Sequence, residues 1–341
     1  MKAMVLRAHG DPEVLNFEEL PDLVPGPGQV RVKVQAVAMN HLDVWVRKGM
    51  PHLKLSYPFV LGSDVAGEVD EVGPGVDGVQ PGEEVLLNPG VSCGCCRQCL
   101  AGRDNLCRDY AILGEHIDGG YAEQIVVPAE NLLPAPKNLS PAERAALPVT
   151  FLTAWQMLAE KAQVQPGEVV LVHAAGSGVG VAAVQIAKLF GAEVIATASS
   201  DEKLQKAKEL GADHLVSSRG DVIAAVRKLT GKRGVDVVIE HVGAATWEQS
   251  IMCSAWGGRI VTCGATSGFE AKTDLRHVFF RQIAILGSTM GSKSVMFRVL
   301  DHVAAGRLKP VVDRTLPLSE AREAHRLLED RAQFGKIVLI P

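Results

Sequence analysis

The sequence predicts an α/β protein with a β-rich part and a doubly wound parallel sheet, and three observations carry that prediction. The chain has 341 residues, which at roughly 150 residues per domain is enough for about two domains. Up to about residue 140, glycine and proline recur in short turns such as 25–28 and 73–75, a pattern typical of short strands in a small barrel or sandwich. From residue 168 the pattern becomes apolar strand, glycine turn, helix and apolar strand, which favours parallel strands joined by helices.

Composition and charge exclude several classes of protein. Hydrophobic residues make up 47% of the chain, so it can bury a large core and is not broadly disordered. The 35 basic and 39 acidic residues give a net charge of −4, whereas nucleic-acid and anionic-membrane surfaces need a positive excess. No apolar run approaches the ~20 residues of a membrane span, and the N-terminus has no uninterrupted apolar core of a secretory signal. We therefore expect a cytoplasmic protein that binds neither nucleic acid nor membranes.

The first part of the chain contains clear strand patterns and then a helix start. Residues 30–34 alternate between apolar and charged side chains, which predicts a half-buried strand. Further strands are predicted over 63–72 and 85–87. Ser140 is a favoured N-cap and the proline that follows it suits the first position of a helix, so a helix is predicted to begin there. A second helix is predicted over 151–161.

The later part alternates strands and helices. Strands are predicted over 169–173, 194–198, 235–240, 259–264 and 283–287, and helices over 179–190 and 202–210. A helix from about residue 294 to 303, a strand over 311–316, a helix over 320–329 and a last strand over 336–340 could complete the first domain. The predicted domains are therefore residues 1–150 with 291–341, carrying a lobe at 93–107, and residues 151–290.

Five of the seven cysteines fall within that lobe, and four of them have the spacing of a metal site. Two, two and seven residues separate Cys93, Cys96, Cys99 and Cys107. In a cytosolic chain such a cluster favours metal over disulfides, and four thiolates can close a tetrahedral shell around Zn²⁺. A closed shell leaves no open coordination position, so we predict one structural zinc ion. An iron–sulfur cluster and a set of reduced bystander cysteines are the alternatives.

A glycine turn in the later part predicts a dinucleotide site. Residues 173–180 follow a predicted strand and open a predicted helix, and they are mostly small. Small residues let the backbone approach a pyrophosphate, and the helix N-terminus offers N–H groups and a positive dipole. We therefore predict cofactor contacts at Ser177, Gly178, Val179 and Gly180. The alternative is a tight strand–helix turn without a ligand.

The end of the strand predicted over 194–198 bears on the choice between NAD and NADP(H) as the cofactor. NAD sites usually have Asp or Glu there to hold the ribose hydroxyls, but the strand ends in small residues up to Ser199 and Ser200. Both serines can donate hydrogen bonds to a 2′-phosphate and Lys203 can supply charge, so NADP(H) is predicted. NAD remains the alternative if Asp201 turns back toward the ribose, and these residues could also simply cap the helix.

Taken together, these features resemble the zinc-containing alcohol dehydrogenase superfamily of medium-chain dehydrogenases and reductases. The resemblance covers essentially the whole chain. Residues 61–67 resemble the family's Gly-His-Glu strand, residues 39–43 its first ligand segment and residues 148–154 the segment of its third ligand. The resemblance implies a GroES-like catalytic domain beside a Rossmann domain.

The departures from the family pattern concern the catalytic metal. The alcohol dehydrogenases hold a catalytic zinc with Cys, His and Cys, and the matching positions here are Asn40, Ser63 and Val149. Valine cannot ligate, and a neutral amide or hydroxyl binds Zn²⁺ poorly. The pattern resembles the quinone oxidoreductase branch, which usually uses NADPH but commonly lacks the cysteine lobe. A rearranged metal site built from nearby side chains is the alternative, and it would draw on His41, Asp43, His52 and Asp64.

Without a catalytic metal, quinones and α,β-unsaturated carbonyl compounds are the easier acceptors of a hydride, because the negative charge formed is delocalised and hydrogen bonds can hold it. Asn40 is the first candidate for a donor near the nicotinamide or the acceptor oxygen. Ser63, Asp64 and Thr153 are further catalytic candidates placed by the resemblance alone. The resemblance also implies cofactor contacts at strand ends and near the C-terminus: Val242, Gly243, Gly264, Ala265, Thr266, Ser288, Thr289, Met290 and Lys336.

The leading functional prediction is thus an NADP(H)-dependent reductase of quinones or conjugated carbonyl compounds that carries one structural zinc. An alcohol dehydrogenase with unusual metal ligands is one alternative, and a non-catalytic nucleotide-binding or structural protein is another. The resemblance further implies a homodimer or homotetramer whose sheets join near residues 283–288.

Overall fold

The computed structural model describes residues 1–51 and 53–341, and the chain forms two compact units. One unit contains Met1–Val149, Ser292–Ala305 and Lys309–Pro341, and the other contains Thr150–Gly291 and Gly306–Leu308. The predicted fold class, a GroES-like β-rich domain with a parallel-sheet α/β domain, is confirmed. None of the described helices is both long and apolar enough to span a bilayer.

The strands and helices are numbered here in chain order. The strands are β1 (Lys2–Leu6), β2 (Leu15–Glu19), β3 (Gln29–Ala38), β4 (Phe59–Val60), β5 (Asp64–Val72), β6 (Glu84–Leu87), β7 (Gly90–Val91), β8 (Ala111–Ile112), β9 (Gln124–Pro128), β10 (Leu132–Pro134), β11 (Val169–Val172), β12 (Glu193–Ala198), β13 (His214–Ser217), β14 (Val235–Glu240), β15 (Ser254–Thr262), β16 (Ala284–Gly287), β17 (Val312–Pro317) and β18 (Lys336–Ile340). The helices are α1 (His41–Lys48), α2 (Arg97–Leu100), α3 (Pro141–Ala145), α4 (Pro148–Trp155), α5 (Gly178–Leu189), α6 (Asp201–Glu209), α7 (Val222–Leu229), α8 (Ala244–Cys253), α9 (Leu275–Phe280), α10 (Lys293–Ala304) and α11 (Ala321–Glu329).

The first unit is built on a mostly antiparallel sheet in the order β10-β6-β5-β3-β18-β17, with β9 also paired to β3. A small sheet of β2, β1 and β4 and the β7–β8 pair complete it. The alternation predicted over 30–34 marks the first part of β3, where Val30, Val32 and Val34 are buried and Lys33 is exposed, and it ends at residues 36–38, which are all buried. The last strand of the chain, β18, lies beside β3 near the centre of the sheet.

The second unit has a six-stranded parallel sheet in the order β13-β12-β11-β14-β15-β16. Its central strand β11 is buried along its length, as expected for a parallel strand covered on both faces. The order reverses between β12 and β14 on either side of β11, so the crevice outside the carboxyl ends of these strands is the usual ligand position of such sheets. The helix predicted over 151–161 begins earlier, at Pro148, and changes at Gln156 into a π-helical stretch that ends at Ala162.

Candidate active site and metal centre

The four predicted zinc ligands lie together at the surface of the first unit. The Sγ atoms of Cys93, Cys96, Cys99 and Cys107 are all within 4.8 Å of one another. Four of the separations measure 3.5–3.9 Å, for example 3.5 Å between Cys96 and Cys99 and 3.9 Å between Cys93 and Cys99. Zn–S bonds of about 2.3 Å in a tetrahedron place sulfur atoms about 3.8 Å apart. The cluster therefore has the dimensions of a closed zinc site, and the fifth cysteine of the lobe, Cys95, is not part of it.

A second polar cluster is buried in the sheet of the first unit. The ammonium of Lys336 donates to Oδ1 of Asn40 at 2.6 Å and to Oδ2 of Asp64 at 2.9 Å. The Asn40 amide nitrogen donates to the same Asp64 oxygen at 2.9 Å, and the backbone N–H of Val149 donates to Oδ1 of Asp64 at 2.7 Å. Asn40, Asp64 and Lys336 are 8%, 0% and 4% exposed. The cluster is a buried ion pair bridged by an amide.

The strand register explains why these residues meet. In the sheet, Ala38 of β3 is paired with Asp64 of β5 on one side and with Val338 of β18 on the other. A backbone hydrogen bond of 2.9 Å from Met39 to Ile337 continues this register beyond the strand end. Lys336 therefore faces Asn40 in the antiparallel pairing. The lysine, predicted only as a cofactor contact, lies in the unit that also holds Asn40 and Asp64.

Asp43 supports this cluster from the start of α1. Its carboxylate accepts hydrogen bonds from the backbone N–H groups of Asn40 at 2.7 Å and Gly62 at 3.2 Å and from the Tyr121 hydroxyl at 3.2 Å. Burial raises the pKa of Asp43 to about 6. The carboxylate ties together the segments that carry Asn40 and Ser63, so its role in the described contacts is to hold the backbone of the site.

Ser63 is fully buried, and within residues 1–51 and 53–341 its hydroxyl has no hydrogen-bond partner. A buried hydroxyl without a partner is unfavourable. Ser63 is thus the one catalytic candidate of the first unit with an unused polar atom. Thr153, the fourth candidate, lies on α4 in the second unit and is 5% exposed; its assignment stays a prediction.

The rearranged metal site receives no support from the described residues. Across the described part of the chain, the four cysteines are the one group of three or more His, Cys, Asp or Glu side chains with ligand atoms close enough to share an ion. Asp43 and Asp64 use their oxygens for the contacts above. His52 lies outside the described residues.

The glycine turn of the second unit has the geometry of a tight strand–helix junction. Ser177 caps α5, and its Oγ accepts from the Gly180 N–H at 3.0 Å. A Cβ on Gly180 would lie 2.4 Å from the carbonyl oxygen of Ala174. Only glycine therefore fits at this position, because the backbone of the turn lies against the first turn of the helix.

The end of β12 carries the residues predicted to select the cofactor. Ser200 is the N-cap of α6, and its side chain accepts from the Lys203 N–H at 3.3 Å. Ser199 and Asp201 are exposed. The helix-capping interpretation of Ser200 therefore holds, and the hydroxyl hydrogen of Ser200 remains a donor because capping uses the oxygen lone pair.

A buried network at the end of β14 was not predicted from the sequence. Glu240 is fully buried, and its Oε1 accepts from the N–H groups of Val242 at 2.8 Å and Gly243 at 2.9 Å. Ser250 donates to Oε2 at 2.5 Å. Burial alone would raise the pKa of Glu240. The nearby His173 and these hydrogen bonds outweigh burial and hold the pKa of Glu240 below its ordinary value. The carboxylate fixes the loop predicted to contact the cofactor.

The remaining predicted cofactor residues lie at strand ends of the same sheet. Gly264, Ala265 and Thr266 follow β15, and Ser288, Thr289 and Met290 follow β16. In a parallel sheet these ends share one edge with the glycine turn after β11 and with Val242 after β14. The fold thus brings these predicted contacts to the usual ligand-binding edge, and their individual roles stay predictions.

Two family models match most of the chain. Residues 26–137 match the model described as an alcohol dehydrogenase GroES-like domain, and residues 178–305 match the model of a zinc-binding dehydrogenase.

Similar proteins span the whole chain. A solved structure of an NAD-dependent alcohol dehydrogenase is 58% identical, with both chains covered completely and a TM-score of 0.97. The 2-haloacrylate reductase of Burkholderia sp is 34% identical over 354 residues, covering 99% of this chain and 98% of that relative. The quinone oxidoreductase of Homo sapiens is 28% identical over 350 residues, covering 100% and 98%.

Proposed function

The chain belongs to the zinc-containing alcohol dehydrogenase superfamily and is an oxidoreductase of the NAD(P)-dependent medium-chain type; from this premise we propose that it uses NADP(H) to reduce quinones or α,β-unsaturated carbonyl compounds and needs no catalytic metal. The proposal rests on the side chains at the three positions where the family binds its catalytic zinc. An amide, a hydroxyl and an isopropyl group, those of Asn40, Ser63 and Val149, stand where the family has three zinc ligands, and such groups hold Zn²⁺ poorly.

The class of hydride acceptor follows from the poor metal-binding side chains at these three positions. Hydride addition to a simple ketone places a full charge on one oxygen, which a metal ion normally stabilises. Addition to a quinone or to the β-carbon of a conjugated carbonyl compound spreads the charge, so hydrogen-bond donors suffice. The similarity to a 2-haloacrylate reductase and to a quinone oxidoreductase supports acceptors of these two kinds.

Residues of the second unit are the ones that would hold the nicotinamide cofactor. The N-terminus of α5 would receive the pyrophosphate, since its first N–H groups and dipole favour an anion. Ser199, Ser200 and Lys203 would hold a 2′-phosphate at the end of β12. When bound, the cofactor supplies the hydride, and the protein's share is to align the acceptor and exclude water.

A second candidate function has the similarity to NAD-dependent alcohol dehydrogenases in its favour. The similar structure at 58% identity is that of an NAD-dependent alcohol dehydrogenase. On this alternative, the chain oxidises a simple alcohol with NAD and binds a second metal ion.

Steady-state kinetics and metal analysis separate the two candidates. We expect kcat/KM with conjugated enones or quinones to exceed that with saturated aldehydes by at least about tenfold, and NADPH to be favoured over NADH by about tenfold, or about 1.4 kcal/mol. One zinc per chain is expected, and chelator treatment that leaves this zinc in place should not change the rate. Faster turnover of simple alcohols with NAD, together with two metal ions per chain, would favour the alternative.

We also propose that the chain is a homodimer, or a homotetramer built from such dimers, joined at β16. This strand ends the six-stranded sheet, and Ala284, Ile285 and Gly287 are exposed although parallel strands are normally covered. Phe279 and Phe280, which precede it, are 60% and 64% exposed. A contiguous apolar edge of this kind is typical of a subunit interface.

The oligomer is tested by placing a charge on that edge. Ile285→Lys should convert the dimer to a monomer in analytical ultracentrifugation, because an unpaired ammonium would be buried at the interface. Leu229→Lys is the matched control, since Leu229 is 40% and Ile285 41% exposed but Leu229 ends α7 away from the sheet edge. A wild-type monomer, or equal effects of the two substitutions, would refute the proposed interface.

A further inference from the structure

The buried lysine of the first unit has a hydrogen-bond donor to spare. A lysine ammonium carries three N–H bonds. Within the described residues, its acceptors are Oδ1 of Asn40 and Oδ2 of Asp64. One N–H of Lys336 is therefore left for another acceptor, and the 4% exposure of the residue shows that bulk water does not surround the group.

The Lys336 ammonium lies among the positions that correspond to the family's three zinc ligands. It contacts Asn40, at the family's first ligand position, and Asp64, next to the second, whose other oxygen is held by the N–H of Val149, at the third. A positive charge of this chain's own thus lies among the three positions. Because the partners of Lys336 fix it on two sides, the charge is preorganised, which is what transition-state stabilisation requires.

We propose that Lys336 is a catalytic residue whose free N–H binds the oxygen of the acceptor and stabilises the negative charge that forms there during hydride transfer. This inference rests on the proposed function, the reduction of a conjugated carbonyl compound or quinone. It assigns to Lys336 a contact with substrate, whereas the family resemblance predicts only a contact with the cofactor.

Reduction of an enone adds one hydride and one proton across its C=C bond. The hydride adds to the β-carbon, the π electrons of the C=C bond move toward the carbonyl, and the oxygen becomes an enolate oxygen held by the Lys336 N–H. A proton from water then adds to the α-carbon and the C=O bond reforms. The acceptor gains one hydride and one proton, and the cofactor loses one hydride. The Lys336–oxygen bond strengthens as charge accumulates, so it lowers the barrier more than it tightens substrate binding.

The hydrogen bond between Lys336 and Asn40 changes the role expected of Asn40. The Asn40 oxygen accepts from Lys336, and its nitrogen donates to Asp64 at 2.9 Å and lies 3.5 Å from the Ala38 carbonyl oxygen, so the amide is engaged on both sides. We therefore assign Asn40 a positioning role through Lys336, in place of the direct donor role predicted from sequence.

The test removes the ammonium without leaving an unpaired buried charge. Lys336→Met alone would strand the Asp64 carboxylate and could unfold the protein. The double variant Lys336→Met/Asp64→Asn removes both charges, and the amide that replaces the carboxylate can still accept from Val149 and donate to Asn40. Lys293→Met/Glu130→Gln, which removes an ion pair of the same unit outside this cluster, is the matched control. Thermal unfolding establishes that each variant is folded.

We expect the double variant to bind NADPH within about twofold of wild type in a fluorescence titration, while kcat for an enone falls at least about 100-fold, as for loss of one oxyanion donor. Lys293→Met/Glu130→Gln should leave kcat close to that of wild type. A second readout needs no turnover: with NADP⁺ bound, wild type should lower the apparent pKa of bound 4-nitrophenol, followed by phenolate absorbance, and the double variant should not.

Three experimental outcomes would contradict either the role of Lys336 or the proposed function. A tenfold weaker NADPH affinity with unchanged kcat would make Lys336 a cofactor residue and refute the inference. An unchanged kcat and unchanged phenol titration would refute it as well. Wild type inactive on every quinone and enone would instead refute the proposed function, so the two failures are distinguishable.

Discussion

Replacing Cys107 by serine should remove the zinc ion and unfold the lobe that contains it. We expect the zinc content of Cys107→Ser to fall from one per chain to below about 0.2, and limited proteolysis to cut the chain between residues 88 and 115. Loss of a structural Zn²⁺ removes folding free energy directly, at an apparent ~10–16 kcal/mol in isolated zinc-finger peptides. The loss here should be smaller and local, because the lobe is a part of a larger unit.

The composition of the lobe explains this dependence on metal. Leu100 is 77% exposed and Leu106 is 51% exposed, so the apolar side chains of the lobe contribute little burial. Its helix α2 has only four residues, far too short to be stable alone. The four sulfur atoms take the place of a hydrophobic core, as in other small metal-dependent structures.

Cys95 provides the matched control for that experiment. It lies in the same lobe and is exposed, but it is outside the group of four. Cys95→Ser should keep one zinc per chain and the wild-type protease pattern. Retention of a full zinc equivalent by Cys107→Ser, measured by plasma mass spectrometry, would contradict the assignment of the site.

The sequence predicted those parts of the molecule that depend on local pattern. The four cysteines form the expected cluster, the strand alternation from residue 30 marks β3, and Ser140 caps α3 with its side chain, as its position before Pro141 indicated. Each of these rests on residues close together in the chain, where spacing determines geometry.

The long-range part of the site could not be predicted in this way. Lys336 lies 296 residues from Asn40 along the chain, and only the antiparallel pairing of β18 with β3 brings the two together. The hydrophobic run of β18 indicates a strand but does not specify its neighbour or its register. Glu240 was missed for a related reason: a single acidic residue ending an apolar strand gives no sign that backbone N–H groups will surround it.

The other large effect is expected at the glycine turn. Gly180→Ala should weaken NADPH binding at least about tenfold and lower the free energy of unfolding by about 1–3 kcal/mol, the usual cost of overpacking a rigid site. The added Cβ would lie 2.4 Å from the Ala174 carbonyl oxygen and 2.7 Å from the Ala175 Cα. Both are backbone atoms, and the Ala175 N–H is itself bonded to the Thr197 carbonyl at 2.8 Å. The clash must therefore move α5 away from the strand.

Movement of α5 acts on binding because the same N–H groups that begin the helix would hold the pyrophosphate. Gly220→Ala is the matched control: its Cβ would meet only the Ser217 carbonyl oxygen at 3.6 Å, an ordinary contact in the same unit. Isothermal titration with NADPH and thermal unfolding of both variants measure the two effects separately. If Gly180→Ala loses stability but binds NADPH with wild-type affinity, the turn is a structural junction only, and the cofactor must be held by other residues.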